Sequence, residues 1–161
     1  MICCIIFIVG NIFVREFGGT CMNYFVEVNN NPKNKKTTDC VIRALTMATG
    51  LTHETIINEL VNIYMTKGYF INDKKCYEHW LAVKKYTKHR QPRKDDNTKY
   101  TGAEFCEYLN KSDIEGAVIA HIGGHHVTVF VNVGTSENKD YRVHDIWDCT
   151  GKCVGNYWTS D

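Results

Sequence analysis

The chain has 161 residues, long enough for one hydrophobic core and too short for two. Its 43% hydrophobic and 23% charged residues, with only two prolines, exclude a disordered or fibrous polypeptide. Nineteen Lys plus Arg against eighteen Asp plus Glu leave a formal charge of +1, so the charge balance gives no reason to expect nucleic acid or a membrane surface as partner.

The segment Met1 to Val14 is nearly all apolar. No basic residue precedes the run, no small-residue cleavage site closes it, and it is too short to span a bilayer. A weak signal or membrane tether is the alternative; the preferred reading is that Met22 is the biological start and the upstream residues are not part of the fold. Residues 1–21 are then an apolar extension and 22–161 one domain, with no stable membrane insertion.

Tyr24 to Val28 has strand character, and Asn29 to Lys36 is a polar loop. Thr37-Thr38-Asp39 offers N-cap groups for a helix from Cys40 to Thr49, with Val41, Leu45 and Ala48 on one face and Gly50 as its stop. A second helix starts near Thr52 and stops at Gly68; a third fits Lys74 to Tyr86. The basic stretch Lys84 to Lys94 is followed by Asp95 and Asp96, and is expected to be a solvated helix end and loop. Thr101-Gly102-Ala103-Glu104 has the form of a capping box for a short helix ending near Leu109.

From there the period changes to two. Ala117 to Ile122 is an apolar run of strand length, and Val127, Val129, Val131 and Val133 alternate with Thr128, Phe130 and Asn132, as in a strand with one face in the core. Tyr141, Val143, Asp145 and Trp147 share a face of the next strand, and Lys152 to Trp158 predicts a last one. Helices first and an antiparallel sheet second is an α+β layout.

Eight cysteines at irregular spacing, in a chain apolar enough to build a core unaided, point to a reducing compartment rather than a disulfide framework. Cys76 and Cys106 fall inside helical patterns as small hydrophobes. Cys40 differs, because a thiol in the first helical turn feels the positive end of the helix dipole and nearby N–H groups. Gly123-Gly124-His125-His126 then opens the most regular strand. His125 shares the parity of Val127 and is expected to face the helical layer as the base, with His126 leaning away. Asp145, on the parity of Val143 and Trp147, is the expected acceptor for the second imidazole N–H, with Asp148 the fallback. A zinc site from Cys149, Cys153 and either His121 or His144 competes, but its C-x3-C spacing is unusual for a knuckle and no second close pair completes it. No metal and no cofactor are therefore expected.

The order Cys40, His125-His126-Val127 and Asp145-Ile146-Trp147 resembles the papain-like cysteine peptidase superfamily, in which a cysteine opens a helix and His and Asn or Asp come from successive strands. Asp39-Cys40-Val41-Ile42-Arg43-Ala44, the later GH-apolar-Val element and the D-x-WD ending also resemble a group of phage and Firmicute proteins. The resemblance spans roughly Met22 to Trp158 and implies a papain-like fold, N-terminal helices packed on a C-terminal antiparallel sheet. It further implies a thiol hydrolase with a Cys40, His125, Asp145 triad. Its usual oxyanion Gln is missing; Asn34, six residues before Cys40, has the right amide, and Asn31 is next. The expected activity is acyl transfer or hydrolysis at a peptide bond, an isopeptide or a side-chain amide of a protein or peptide substrate. The expected location is the cytoplasm, that of the host if the protein is viral. The absent Gln motivates the alternative of a weakly active or inactive papain-like binding module, a phage protein engaging a host factor.

Overall fold

The computed structural model describes residues 22–160; the apolar segment 1–21, with Cys3, Cys4 and Cys21, lies outside the described residues. Ten elements follow in the order β1 (Phe25–Glu27), α1 (Cys40–Thr49), α2 (His53–Lys67), α3 (Lys74–Val83), β2 (Tyr86–His89), α4 (Gly102–Asn110), β3 (Val118–Ile122), β4 (His126–Asn132), β5 (Tyr141–Asp145) and β6 (Val154–Ser160). The fold is α+β.

Local chemistry sets most helix ends. Thr52 caps α2 by accepting from the Thr55 N–H, and Gly68 ends it in the left-handed conformation. Thr101 and Glu104 form both halves of the capping box that starts α4. The expected third helix stops early: Lys85 takes φ 62, a turn that breaks the helix and releases Tyr86–His89 as strand β2. The basic stretch is thus partly an edge strand rather than a helix end and loop.

The six strands form one sheet in the order β1-β5-β4-β3-β6-β2. The expected C-terminal antiparallel sheet is corrected in two places. The N-terminal β1 joins it, parallel to β5, and the mid-chain β2 closes the other edge against β6. The sheet is also covered on both faces. Helices α1, α2 and α3 bury Leu45, Ile56, Leu60, Trp80 and Leu81 against Ile119, Val127, Val129 and Trp158. On the opposite face α4 buries Phe105, Cys106 and Leu109 against Val118, Phe130, Tyr141 and Val143. Alternation along β4 therefore separates two cores, not core from solvent. No helix among the described residues is long and apolar enough to cross a membrane.

Candidate active site

The site forms at the rim of the sheet where β4 begins with His126, β5 ends with Asp145 and the amino end of α1 presents Cys40. His126 Nε2 lies 2.6 Å from Asp145 Oδ2. The Cys40 thiol interacts with the same imidazole, and with Nε2 committed to the carboxylate, Nδ1 is the nitrogen left for sulfur. Asp145 is 5% exposed, and its other oxygen accepts from the Ile146 N–H at 2.7 Å. The Trp147 ring stands 5.2 Å from the imidazole and covers it on one side.

Electrostatics follow from this geometry. Burial works against charge on His126, but the hydrogen bonds and charges of Asp145 and Cys40 outweigh it and raise its pKa to about 9. Burial likewise disfavours a Cys40 thiolate, yet the hydrogen bond from His126 and those from the backbone at Val127 and Val41 bring its pKa below the ordinary thiol value. Asp145 stays below the usual carboxylate range despite burial, because the hydrogen bond and charge of His126 and the Ile146 N–H stabilise its charge. Both shifts act in the direction of a thiolate–imidazolium pair backed by a carboxylate.

A buried cation supports the acid. Arg43, one turn after Cys40, is 6% exposed; it pairs with Asp39 and lies 3.8 Å from Asp145 Oδ1. Asp39 also accepts from Asn31 Nδ2 at 2.7 Å and makes no side-chain cap to α1. With that carboxylate drawn away, the Cys40 N–H at the first helical position is not capped by it.

Two expected residues fall elsewhere. His125 is a turn residue, exposed, between the left-handed glycines Gly123 and Gly124 and the start of β4. The pairing of Phe130 with Val143 puts His126 and Thr128 on the face that carries Asp145. His125 does follow the Val127 face toward the helices, but Asp145 is on the other one, so His126 replaces His125 as Asp145's partner. Asn34 sits in the Asn31–Asn34 turn with φ 51, its side-chain oxygen accepting from Asn29 Nδ2, and it does not line the spaces around Cys40. Asn31 is committed to Asp39. Asp148 is exposed and accepts from Thr150.

The competing zinc set does not come together among the described residues: Cys149 is fully buried and Cys153 exposed. Among the described residues the cluster with metal-ligand spacing is His126, Asp145 and Cys149, its donor atoms within 4.8 Å of one another. The His126–Asp145 hydrogen bond occupies two of those donors, and burial pushes the Cys149 thiol up to about 12. This donor set suits a hydrogen-bonded acid–base pair better than a metal.

A cleft of about 420 Å³ opens beside Cys40, lined by Cys40, Val41, Tyr77, His121 and His125 among others. Searches against family models, curated proteins and solved structures find no match. The site therefore stands on its own geometry. That His126 rather than His125 meets Asp145 follows only from strand register, for which Phe130 opposite Val143 is the signal.

Proposed function

We propose that the chain is a papain-like cysteine enzyme of the acyl-transfer class, with Cys40 as nucleophile, His126 as acid–base group and Asp145 as its orienter. The observation that carries this reading is the grouping of the Cys40 thiol with His126 and buried Asp145, the last two hydrogen-bonded, opening on a cleft. A binding module has no need of that grouping, which favours the enzyme.

In this reading the thiolate attacks a carbonyl carbon and the carbonyl π pair moves onto oxygen. The tetrahedral intermediate collapses, the leaving amine takes the proton from His126, and Cys40 is left as a thioester. Water then attacks the thioester with His126 accepting its proton, and the thiolate returns. Asp145 holds the ring with Nε2 toward itself and stabilises the imidazolium before attack. The expected substrates are peptides, isopeptides or side-chain amides, and the cytoplasm is the expected location.

Alkylation with iodoacetamide at pH 7, followed by peptide mapping, tests the nucleophile. Cys40 should be labelled well ahead of Cys76 and Cys106, whose thiol pKa values burial raises. Labelling of Cys40 no faster than theirs refutes the thiolate and the proposed activity with it.

A further inference from the structure

Resting on the acyl-transfer reading, we propose that Tyr77 is a catalytic residue: its hydroxyl donates to the oxyanion formed at the carbonyl attacked by Cys40, held in place by His121.

An oxyanion hole needs donors fixed in advance around the point where charge develops. The Cys40 backbone N–H, at the open end of α1, supplies one. The amides expected to supply the second, Asn34 and Asn31, are engaged elsewhere. Asn30 also approaches Cys40, but its amide donates to the Arg43 carbonyl at 3.0 Å. Among side chains lining the cleft with Cys40, Thr38, Asn72, Lys74, His125 and Tyr77 can donate. The first four are exposed, so water competes for them, and the Asn72 amide already donates to the Thr38 carbonyl while Lys74 pairs with Glu78. Tyr77 is 3% exposed.

Tyr77 is also pinned. Its hydroxyl is in close contact with His121 Nε2. Its ring packs edge-on against Trp158, centroids 6.0 Å apart, and Trp158 in turn meets His121 edge-on at 5.7 Å. His121 is held neutral, since burial first and then the charges of Lys74 and Lys88 lower its pKa to about 4. A neutral imidazole can carry its proton on Nε2 and donate it to the phenol oxygen. In that tautomer the phenol proton is free to point into the cleft. Burial, and then the negative charges of Glu78 and the Cys40 thiolate, keep that proton on the phenol across the working pH range. Tyr77 is thus a permanent donor on the wall of the space into which the carbonyl must come, and His121 is a positioning residue.

Alkylation and acylation of the same sulfur separate this role from packing. Iodoacetamide is displaced at a saturated carbon and forms no oxyanion. p-Nitrophenyl acetate passes through one: sulfur bonds the acetyl carbon, p-nitrophenolate leaves, and S-acetyl Cys40 remains. Tyr77→Phe should acetylate about a hundredfold more slowly, the loss typical of one oxyanion donor, while its alkylation at Cys40 stays within about twofold of the parent. His121→Gln should show a smaller loss confined to the same step, and serves as the second variant if Tyr77→Phe does not fold. Unchanged acetylation in the variants, or equal losses in both reactions, overturns the Tyr77 role while leaving the acyl-transfer reading standing. Parent protein alkylated but never acetylated at Cys40 overturns both.

Discussion

His121 closes toward one end of β3 and His126 opens β4, so the two rings belong to one hairpin and both are largely shielded from water. Their charges nevertheless differ. His126 faces the carboxylate of Asp145 and the Cys40 thiol, and its pKa rises to about 9. His121 faces the Tyr77 phenol with Lys74 and Lys88 nearby, and its pKa falls to about 4. Burial pushes both downward; the partner decides the outcome. A hairpin that crosses the sheet rim can thus present a cationic acid–base group on one side and a neutral hydrogen-bond orienter on the other. The largest expected effect follows from the cationic member. His126→Ala should lower acylation of Cys40 by about a thousandfold and return the thiol to ordinary reactivity, measured as the pH dependence of iodoacetamide labelling. Full reactivity in that variant removes His126 from the site.

Arg43 links the rim to the body of α1. Arg43→Met leaves Asp39 and Asp145 buried without their shared cation, and should cost about 3–5 kcal/mol of stability in urea unfolding. A loss under 1 kcal/mol means that water already screens the trio. Asp145→Asn should fold well and acylate roughly ten- to a hundredfold more slowly. That is less than the about ten-thousandfold of a serine triad, because the thiolate–imidazolium pair forms before attack.

Helix ends were legible wherever a cap writes them into the chain: Thr52 and Gly68 bracket α2, and Thr101 with Glu104 starts α4, as expected. The end of α3 was not, because a Lys with positive φ carries no glycine signature. That Cys40 opens a helix and that Asp145 shares a strand face with Val143 could be read from the chain. The choice between His125 and His126 could not, since Val127, Thr128, Val129 and Phe130 are all buried and both faces of β4 look like core. Only pairing with β5 tells them apart, and register is a long-range property. Asn34 failed for a related reason: its distance in sequence from Cys40 says nothing about the Asn31–Asn34 turn that carries it away. Tyr77 and His121, 44 residues apart, meet only once α3 packs on the sheet.

The opposite pKa shifts of the two histidines also predict opposite pH windows for stability. A raised pKa means that the folded state binds the proton more tightly than the unfolded chain. The contribution of His126 is therefore complete below about 6.5, its ordinary value, and is lost as pH rises through about 9. For His121 the sign reverses. The folded state resists protonation, so its contribution is complete above about 6.5 and is lost as pH falls through about 4. Asp145, lowered from 3.8, adds a loss in the same acid direction. Urea midpoints between pH 4 and 10 should form a dome; His126→Gln should flatten its alkaline side, and His121→Gln its acid side. Retention of the alkaline slope in His126→Gln assigns it to another group and removes the imidazolium from the comparison.

The smallest effect is expected from the neighbours that sequence reasoning weighed for the site. His125 is exposed in the Gly123–Gly124 turn, and Asp148 is exposed with its carboxylate turned to Thr150. Neither side chain makes a hydrogen bond to Cys40, His126 or Asp145. Surface changes of this kind stay within about 0.5 kcal/mol in stability, so His125→Ala and Asp148→Asn should each acylate within about twofold of the parent, a change that corresponds to about 0.4 kcal/mol. His125 does line the cleft, so any effect it has should appear as weaker substrate binding, a raised KM at unchanged kcat. A kcat loss in His125→Ala as deep as that of His126→Ala would mean that the hairpin rearranges to bring the turn histidine to the thiol. The register that pairs Phe130 with Val143 would then slip by one residue, and Phe130 would leave the α4 core it now fills.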